Sequence, residues 1–232
     1  FSVRQPHSPA HVQSAHGESW QWDGATATLT VTWTTDQIIG AVGLLRHSLS
    51  GAATISLALK NSGGTTLHTF TPSVASGPLL EFLAAPLTTV RSLIVTVANA
   101  TGMALGWLYA GTPFSTTYSA ARCSIRRAYK LESGAGVNPR GLYIGVGRGG
   151  EIAWENFLWQ TDLDPLLALI DACKQDDDAP IVVVPQALFP EDAFLARINT
   201  DALEISDWNE FQPNDKALRA LSLTLPLEAV YS

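Results

Sequence analysis

Between Ala27 and Leu59 three strand-forming segments follow one another with only short polar links: ATLTVTW, QIIGAVGLL and ATISLAL. Strands in such quick succession predict an antiparallel β-sandwich. In the first segment Ala27, Leu29, Val31 and Trp33 alternate with Thr28, Thr30, Thr32 and Thr34. A period of two puts the first set on a core face and the threonines on a wet one. The second segment, Gln37 to Leu45, is apolar on both faces. Ile38, Val42 and Leu44 share one face with Gly40; Ile39 and Leu45 share the other with Ala41 and Gly43. Such a strand is expected at the centre of a sheet, with small residues that let neighbours approach closely. Arg46–Gly51 supplies turn chemistry, after which Ile55, Leu57 and Leu59 alternate with Thr54, Ser56 and Lys60.

The pattern continues. Asn61-Ser62-Gly63-Gly64 is a hairpin turn signal. Leu93, Val95 and Val97 form another inward row, and Met103, Leu105, Trp107 and Tyr109 one more after a turn at Thr101–Gly102. About six strands within about ninety residues fit a sandwich or jelly roll.

The second half changes character. Gly145-Val146-Gly147-Arg148-Gly149-Gly150 is formally a GxGxxG. A dinucleotide site needs a longer buried strand before it and a small-residue helix start after it. Glu151–Trp159 alternates like a strand instead, so the glycines read as a hairpin or loop using positive φ. A helix is expected over 165–174: Asp164 can cap it, Pro165 suits its first turn, Leu166, Leu167, Ile170 and Cys173 form an apolar stripe, and Lys174 complements its dipole. Ile181–Val184 reads as a buried strand, Pro190–Ile198 as a short helical turn, and Ala202–Trp208 as a strand. Ala217–Tyr231 reads as a long final strand, bent at Pro226 and paired with the one before.

The expected fold is mainly β. It comprises an N-terminal antiparallel sandwich of jelly-roll or galactose-binding-like type and a C-terminal β-rich domain with one main helix. The expected divisions are an arm over 1–17, the sandwich over 18–112, a linker or bridging strand over 113–141, and the second domain over 142–232. A chain starting at Phe1 is expected to begin inside a longer product.

Charge narrows the function classes. Only 15% of the 232 residues are charged and the net charge is −7, against a charged fraction of about a quarter in ordinary soluble domains. A nucleic-acid partner is not expected without a basic cluster, nor is a membrane span without a long apolar run. A weakly charged, Thr-, Ser- and Ala-rich surface suits a protein packed against neighbours. Arg122, Arg126 and Arg127 gather within six positions; they read as a solvated strand pairing with nearby acids, or as a contact with an acidic neighbouring subunit. Cys123 and Cys173 carry no spacing motif and read as two buried thiols.

Sites for chemistry are sparse. His7, His11 and His16 lie in the arm, where a metal would still want a fourth ligand and a rigid frame; the arm instead reads as a segment draped on a partner. His47 follows a strand and suits a local hydrogen bond. Glu151, Glu155, Asp162 and Asp164 show no alignment on a substrate of the kind a glycosidase needs. No catalytic residue, cofactor or metal is therefore expected. Trp20 and Trp22, at i and i+2 beside Asp23, could stack on a sugar ring with the carboxylate accepting from hydroxyls, or cover the sandwich edge.

The run Ile38–Ser50, IIGAVGLLRHSLS, followed directly by Ala53–Leu59, ATISLAL, resembles discoidin-type (galactose-binding-like) modules of tailed-phage proteins. The second half, with LDPLLALIDAC, PIVVVP, AFLARI and the closing LPLEAVYS, is also similar to such proteins. Ser48 departs from the pattern, where asparagine is commoner. The resemblance implies a virion structural protein of a long-tailed phage's tail tip or baseplate, of the distal-tail ring type, assembled in the host cytoplasm. It would form a homo-oligomeric ring and contact other tail proteins. The alternative is a carbohydrate-binding module that attaches to a host-surface glycan.

Overall fold

A computed structural model of the chain describes residues 20–22, 24–74, 77–117, 120–132, 142–175, 180–185, 190–209 and 220–230. The fold is mainly β and divides into two compact units. The first runs to Pro113 and also takes in Val184–Ala193; the second holds Phe114–Val183 and the chain from Phe194 onward.

The first unit contains β1 (Trp20–Gln21), β2 (Thr26–His47), β3 (Thr54–Lys60), β4 (Thr66–Phe70), β5 (Leu79–Ala98) and β6 (Ala104–Gly111). They form one antiparallel sheet in the order β1-β6-β2-β5-β3-β4. Two strands are long enough to serve twice. Thr26–Thr32 of β2 pairs with the end of β5, which takes β3 on its other side; Ala41–Leu44 of β2 lies between the start of β5 and β6. Register shifts between Thr32 and Ala41 mark the bend. The two layers of the sandwich are thus halves of one sheet, and they bury a common core. Leu29, Ile55, Leu57, Leu93, Val95 and Val97 of one layer join Val42, Leu44, Leu79, Leu105 and Leu108 of the other.

The alternations hold where they were clearest. Leu29 is buried between exposed Thr28 and Thr30; Ile55, Leu57 and Leu59 are buried and Leu93, Val95 and Val97 likewise. The hairpin at Asn61–Gly64 forms as expected: Gly64 N–H donates to Asn61 O, Thr65 N–H donates to Asn61 Oδ1, and Gly64 takes φ 81°. The expected break between ATLTVTW and QIIGAVGLL does not occur. Thr34 and Thr35 are β-branched and favour extended backbone, and Arg91 of β5 pins the bend by donating to Asp36 Oδ1 and Thr34 O. The centre of β2 is packed on both sides, as its composition predicts: a Cβ on Gly43 would sit 2.3 Å from Leu79 O. Ile38 departs from this, being 54% exposed, because it lies before the point where β6 joins. In β6 the inward row is Leu105 and Leu108, not Leu105, Trp107 and Tyr109. Register shifts around Arg46 break the alternation there, and a Cβ on Gly106 would meet the Arg46 side chain.

The second unit contains β7 (Arg122–Glu132), β8 (Leu142–Leu158), α1 (Asp164–Gln175), β9 (Ile181–Val183), β10 (Phe194–Ile198), β11 (Glu204–Asn209) and β12 (Ala220–Ala229). The sheet runs β7-β8-β12-β10-β9, with β11 also on β12. Leu163 and the α1 residues Leu166 and Ile170 pack with Trp154, Phe194, Leu223, Leu225 and Leu227. Pro226 is tolerated because it falls where the partner of β12 changes from β11 to β10; its carbonyl accepts from Asn199 N–H.

Several expectations are corrected in this unit. The glycine-rich run is no loop or hairpin; it lies inside β8. A Cβ on Gly149 would meet Leu227 O at 2.8 Å, and one on Gly150 would meet Ser124 O at 1.9 Å. Gly150 also has φ 149°, so close flanking strands and backbone conformation together require glycine. Phe194–Ile198 is a strand, because only Pro190–Asp192 forms a helical turn. Ile181–Val183 is an edge strand with only Val183 buried. Leu167 is exposed, so the buried stripe of α1 is Leu166 and Ile170, with Leu163 just before it. The stretch expected as a linker or bridging strand carries β7, a member of this sheet. Both cysteines are free thiols, and Cys123 is exposed rather than buried.

Gly150→Ala is expected to destabilise the second unit by at least about 2 kcal/mol, through strain at positive φ and overlap with β7. Gly51→Ala, with nothing within 4 Å of the added carbon, is expected to be near neutral. Chemical denaturation of the two variants checks the contrast, and equal stabilities would contradict it.

Candidate interaction surfaces

The sequence-selected residues fall into three places. Trp20 and Trp22 come together at the margin of the first sheet, where Trp20 pairs with Leu105 of β6. Their ring centroids lie 4.9 Å apart. Trp20 is only 8% exposed and belongs to the core, and half-buried Trp22 packs against it. The Trp22 indole N–H is buried and has no acceptor among the described residues. Asp23, and with it the arm histidines His7, His11 and His16, lie outside the described residues.

Arg122, Arg126 and Arg127 are all exposed on β7, a margin of the second sheet. Arg122 forms an ion pair with Glu151 of β8. Arg126 and Arg127 have no ion-pair partner among the described residues. Alternation places Arg126 on the face of Arg122 and Ser124. Ile125 points to the opposite face and packs on the core. Cys123 is exposed, and partial desolvation by its neighbours raises its thiol above the ordinary pKa, which favours the protonated form.

The carboxylates do not converge. Glu151 is held by Arg122, and Glu155 and Asp164 are exposed. Asp162 is 1% exposed and has a role that the sequence did not signal. Its Oδ1 accepts from Thr117 N–H at 3.0 Å and Thr117 Oγ1–H at 2.9 Å; its Oδ2 accepts from Leu158 N–H at 3.0 Å. One side chain thereby ties the start of the unit to the end of β8. The described residues bring no three His, Cys, Asp or Glu side chains together as a metal site. No helix among them is long and apolar enough to cross a membrane.

His47 makes the local bonds its position suggests. Nδ1 accepts from Leu49 N–H at 3.2 Å, so the proton sits on Nε2, which donates to Gly77 O at 2.7 Å. His68 of β4 lies 2.8 Å from Glu81 of β5.

Exposed apolar side chains mark the remaining surface. Ile38 is 54% exposed and Phe82 is 38% exposed, on neighbouring strands of the first unit. Around them Phe82–Val90 carries no charged residue, and Ala84, Ala85, Pro86, Thr88 and Thr89 are exposed. In the second unit Ile205 of β11 is 42% exposed and sits beside exposed Glu204. No protein-family model, curated protein or solved structure matches the chain.

Asp162→Ala removes the buried acceptor of three donors, two of them on exposed Thr117, which water can partly satisfy. A loss of about 1–3 kcal/mol in unfolding free energy is expected; no measurable loss would show that Asp162 carries no such tie. A second expectation concerns pH. Burial holds the His47 imidazole below its ordinary pKa, with the Gly77 bond partly offsetting this. The unfolded chain therefore takes up its proton first as pH falls through about 6.5. The stability from His47 is complete above that pH and is lost toward the lower folded-state value. His47→Gln should flatten the stability curve below about pH 6.5 relative to the parent chain. Identical slopes for the two proteins would contradict this.

Proposed function

We propose that this chain is a non-catalytic assembly protein of a phage tail tip or baseplate. It forms a ring of identical copies and joins other tail proteins. The observation that carries this reading is the ribbon at the bend of β2 and β5. Ile38 of β2 and Phe82 of β5 are exposed there, Phe82 at the start of the uncharged run Phe82–Val90. Contiguous apolar and neutral surface gains free energy when a partner excludes water from it, at roughly 25 cal/mol per Å², and such patches mark interaction sites. A chain with 15% charged residues is well suited to large permanent interfaces, which often exceed about 2,000 Å² and resemble a divided core. The likeness of the Ile38–Leu59 region to tail-protein modules supports the specific setting, and closed cyclic symmetry is the expected form of assembly. The protein's chemistry in this reading is burial of surface, with no bond made or broken.

Size-exclusion chromatography with light scattering on the full chain tests it. A discrete multiple of the 24.8 kDa protomer mass is expected, and Ile38→Asp/Phe82→Asp should shift the population toward smaller species while leaving the circular dichroism unchanged. A strictly monomeric protein at every concentration would overturn the reading.

A further inference from the structure

Two of the edges of the second sheet, β7 and β11, carry opposite charge. Four of its strands run side by side as β7-β8-β12-β11, and a single lane crosses them: Arg122 pairs with Ala153, Ala153 with Thr224, and Thr224 with Glu204. Residues directly opposite share a face, so one face carries arginine at the β7 margin and glutamate at the β11 margin. Neither β7 nor β11 has a second strand partner among the described residues, so each presents unpaired backbone groups. Arg126, Arg127 and Cys123 are exposed on one edge, and Asp201, Glu204 and Ile205 on the other.

Direction is also compatible. Each adjacent pair is antiparallel, so β7 and β11 point in opposite senses. A second copy set alongside in the same orientation brings its β7 against the first copy's β11 as an antiparallel pair. Faces then match. Ile205 is the partner of Leu223 and shares its core-side face, yet is 42% exposed. The core-side residue on the exposed part of β7 is Ile125. Setting Ile205 opposite Ile125 places Glu204 opposite Arg126 on the outer face, and overlays 204–206 on 124–126, ending where the register of β11 shifts between Ser206 and Trp208. An apolar pair and an ion pair thus form in one register with no further choice.

We infer that the protein self-associates head to tail through these edges, β11 of one copy pairing with β7 of the next, with Ile205 on Ile125 and Glu204 on Arg126. The occupant is a second copy because both halves of the match are present on one chain, and because an acidic protein leaves its Arg126 and Arg127 for an acidic partner. The contact is heterologous, so it repeats, closing into a ring where the rotation allows. The edge of β5 does not offer the same geometry. Four residues, Leu83 to Pro86, stand between the partners of Ala41 and Ile39, and a bulge containing proline resists strand addition.

This inference rests on the self-assembling role proposed above, and its test separates the two. Sedimentation or light scattering is run across concentration on the full chain, with circular dichroism confirming the fold of each variant. Arg126→Glu and Glu204→Arg should each raise the association midpoint about tenfold, since like charges now oppose one another at every contact. The double variant Arg126→Glu/Glu204→Arg should return it to within about threefold of the parent. Independently, Ile125→Cys/Ile205→Cys with Cys123→Ser should give a ladder of disulfide-linked copies on oxidation, because directly opposed antiparallel residues bring Cα atoms within bridging distance. An oligomeric parent whose midpoint none of the charge variants moves, and no ladder, would overturn the edge pairing and leave the assembly role standing. A parent that stays monomeric throughout would overturn both.

Discussion

The pairing of β2 with β5 is the constraint on which the first unit depends. These strands are long enough to lie in both layers, so one continuous ladder supplies the hydrogen bonds of each. The bend is where that ladder is weakest, with repeated register shifts. Arg91 offsets the loss by bonding to Asp36 and to the Thr34 carbonyl. Folding a sheet on itself in this way leaves the bend with few covering neighbours, which is why Ile38 projects from a segment otherwise buried on both faces. The most closely packed and the most exposed apolar residues of β2 are thus neighbours in sequence.

The second unit solves a different problem, covering one face of a sheet with a single helix. Asp162 and the two glycines of β8 are its fixed points. The carboxylate, itself buried, satisfies three donors from two segments, and the absence of side chains at Gly149 and Gly150 lets β7 and β12 close on β8 from both sides. The charged outer lane and the apolar inner face are consequences of that closeness, since alternation along tightly registered strands sorts residues strictly by face. Sheet margins of opposite sign follow from the same sorting.

Among the described residues, the exposed apolar and charged groups lie at edges and bends of the sheets. The ribbon of the first unit offers apolar burial; the margins of the second offer direction and register. Apolar surface supplies affinity without much orientation, whereas backbone pairing with one ion pair and one apolar pair specifies geometry. Together they would suit the assembly role proposed for this chain.

Local pattern alone determined a good deal. Strict alternation at Leu29, Ile55–Leu59 and Leu93–Val97 settled strand faces, because period two is a property of the backbone. Asn61–Gly64 settled a hairpin, and Asp164–Lys174 a helix, since turn and helix chemistry are local. What only tertiary structure decided was everything set by neighbours. Thr34–Asp36 continues a strand because β5 lies beside it. Gly145–Gly150 is strand, since flanking backbones leave no room for side chains. Phe194–Ile198 extends because β12 offers it a partner, despite helical spacing. Ile38, Leu167 and Ile205 are exposed through what does not cover them, and Asp162 owes its role to Thr117, 45 residues away. The opposition of Arg122 to Glu204 exists only across four strands, a distance along the chain that no window of sequence spans.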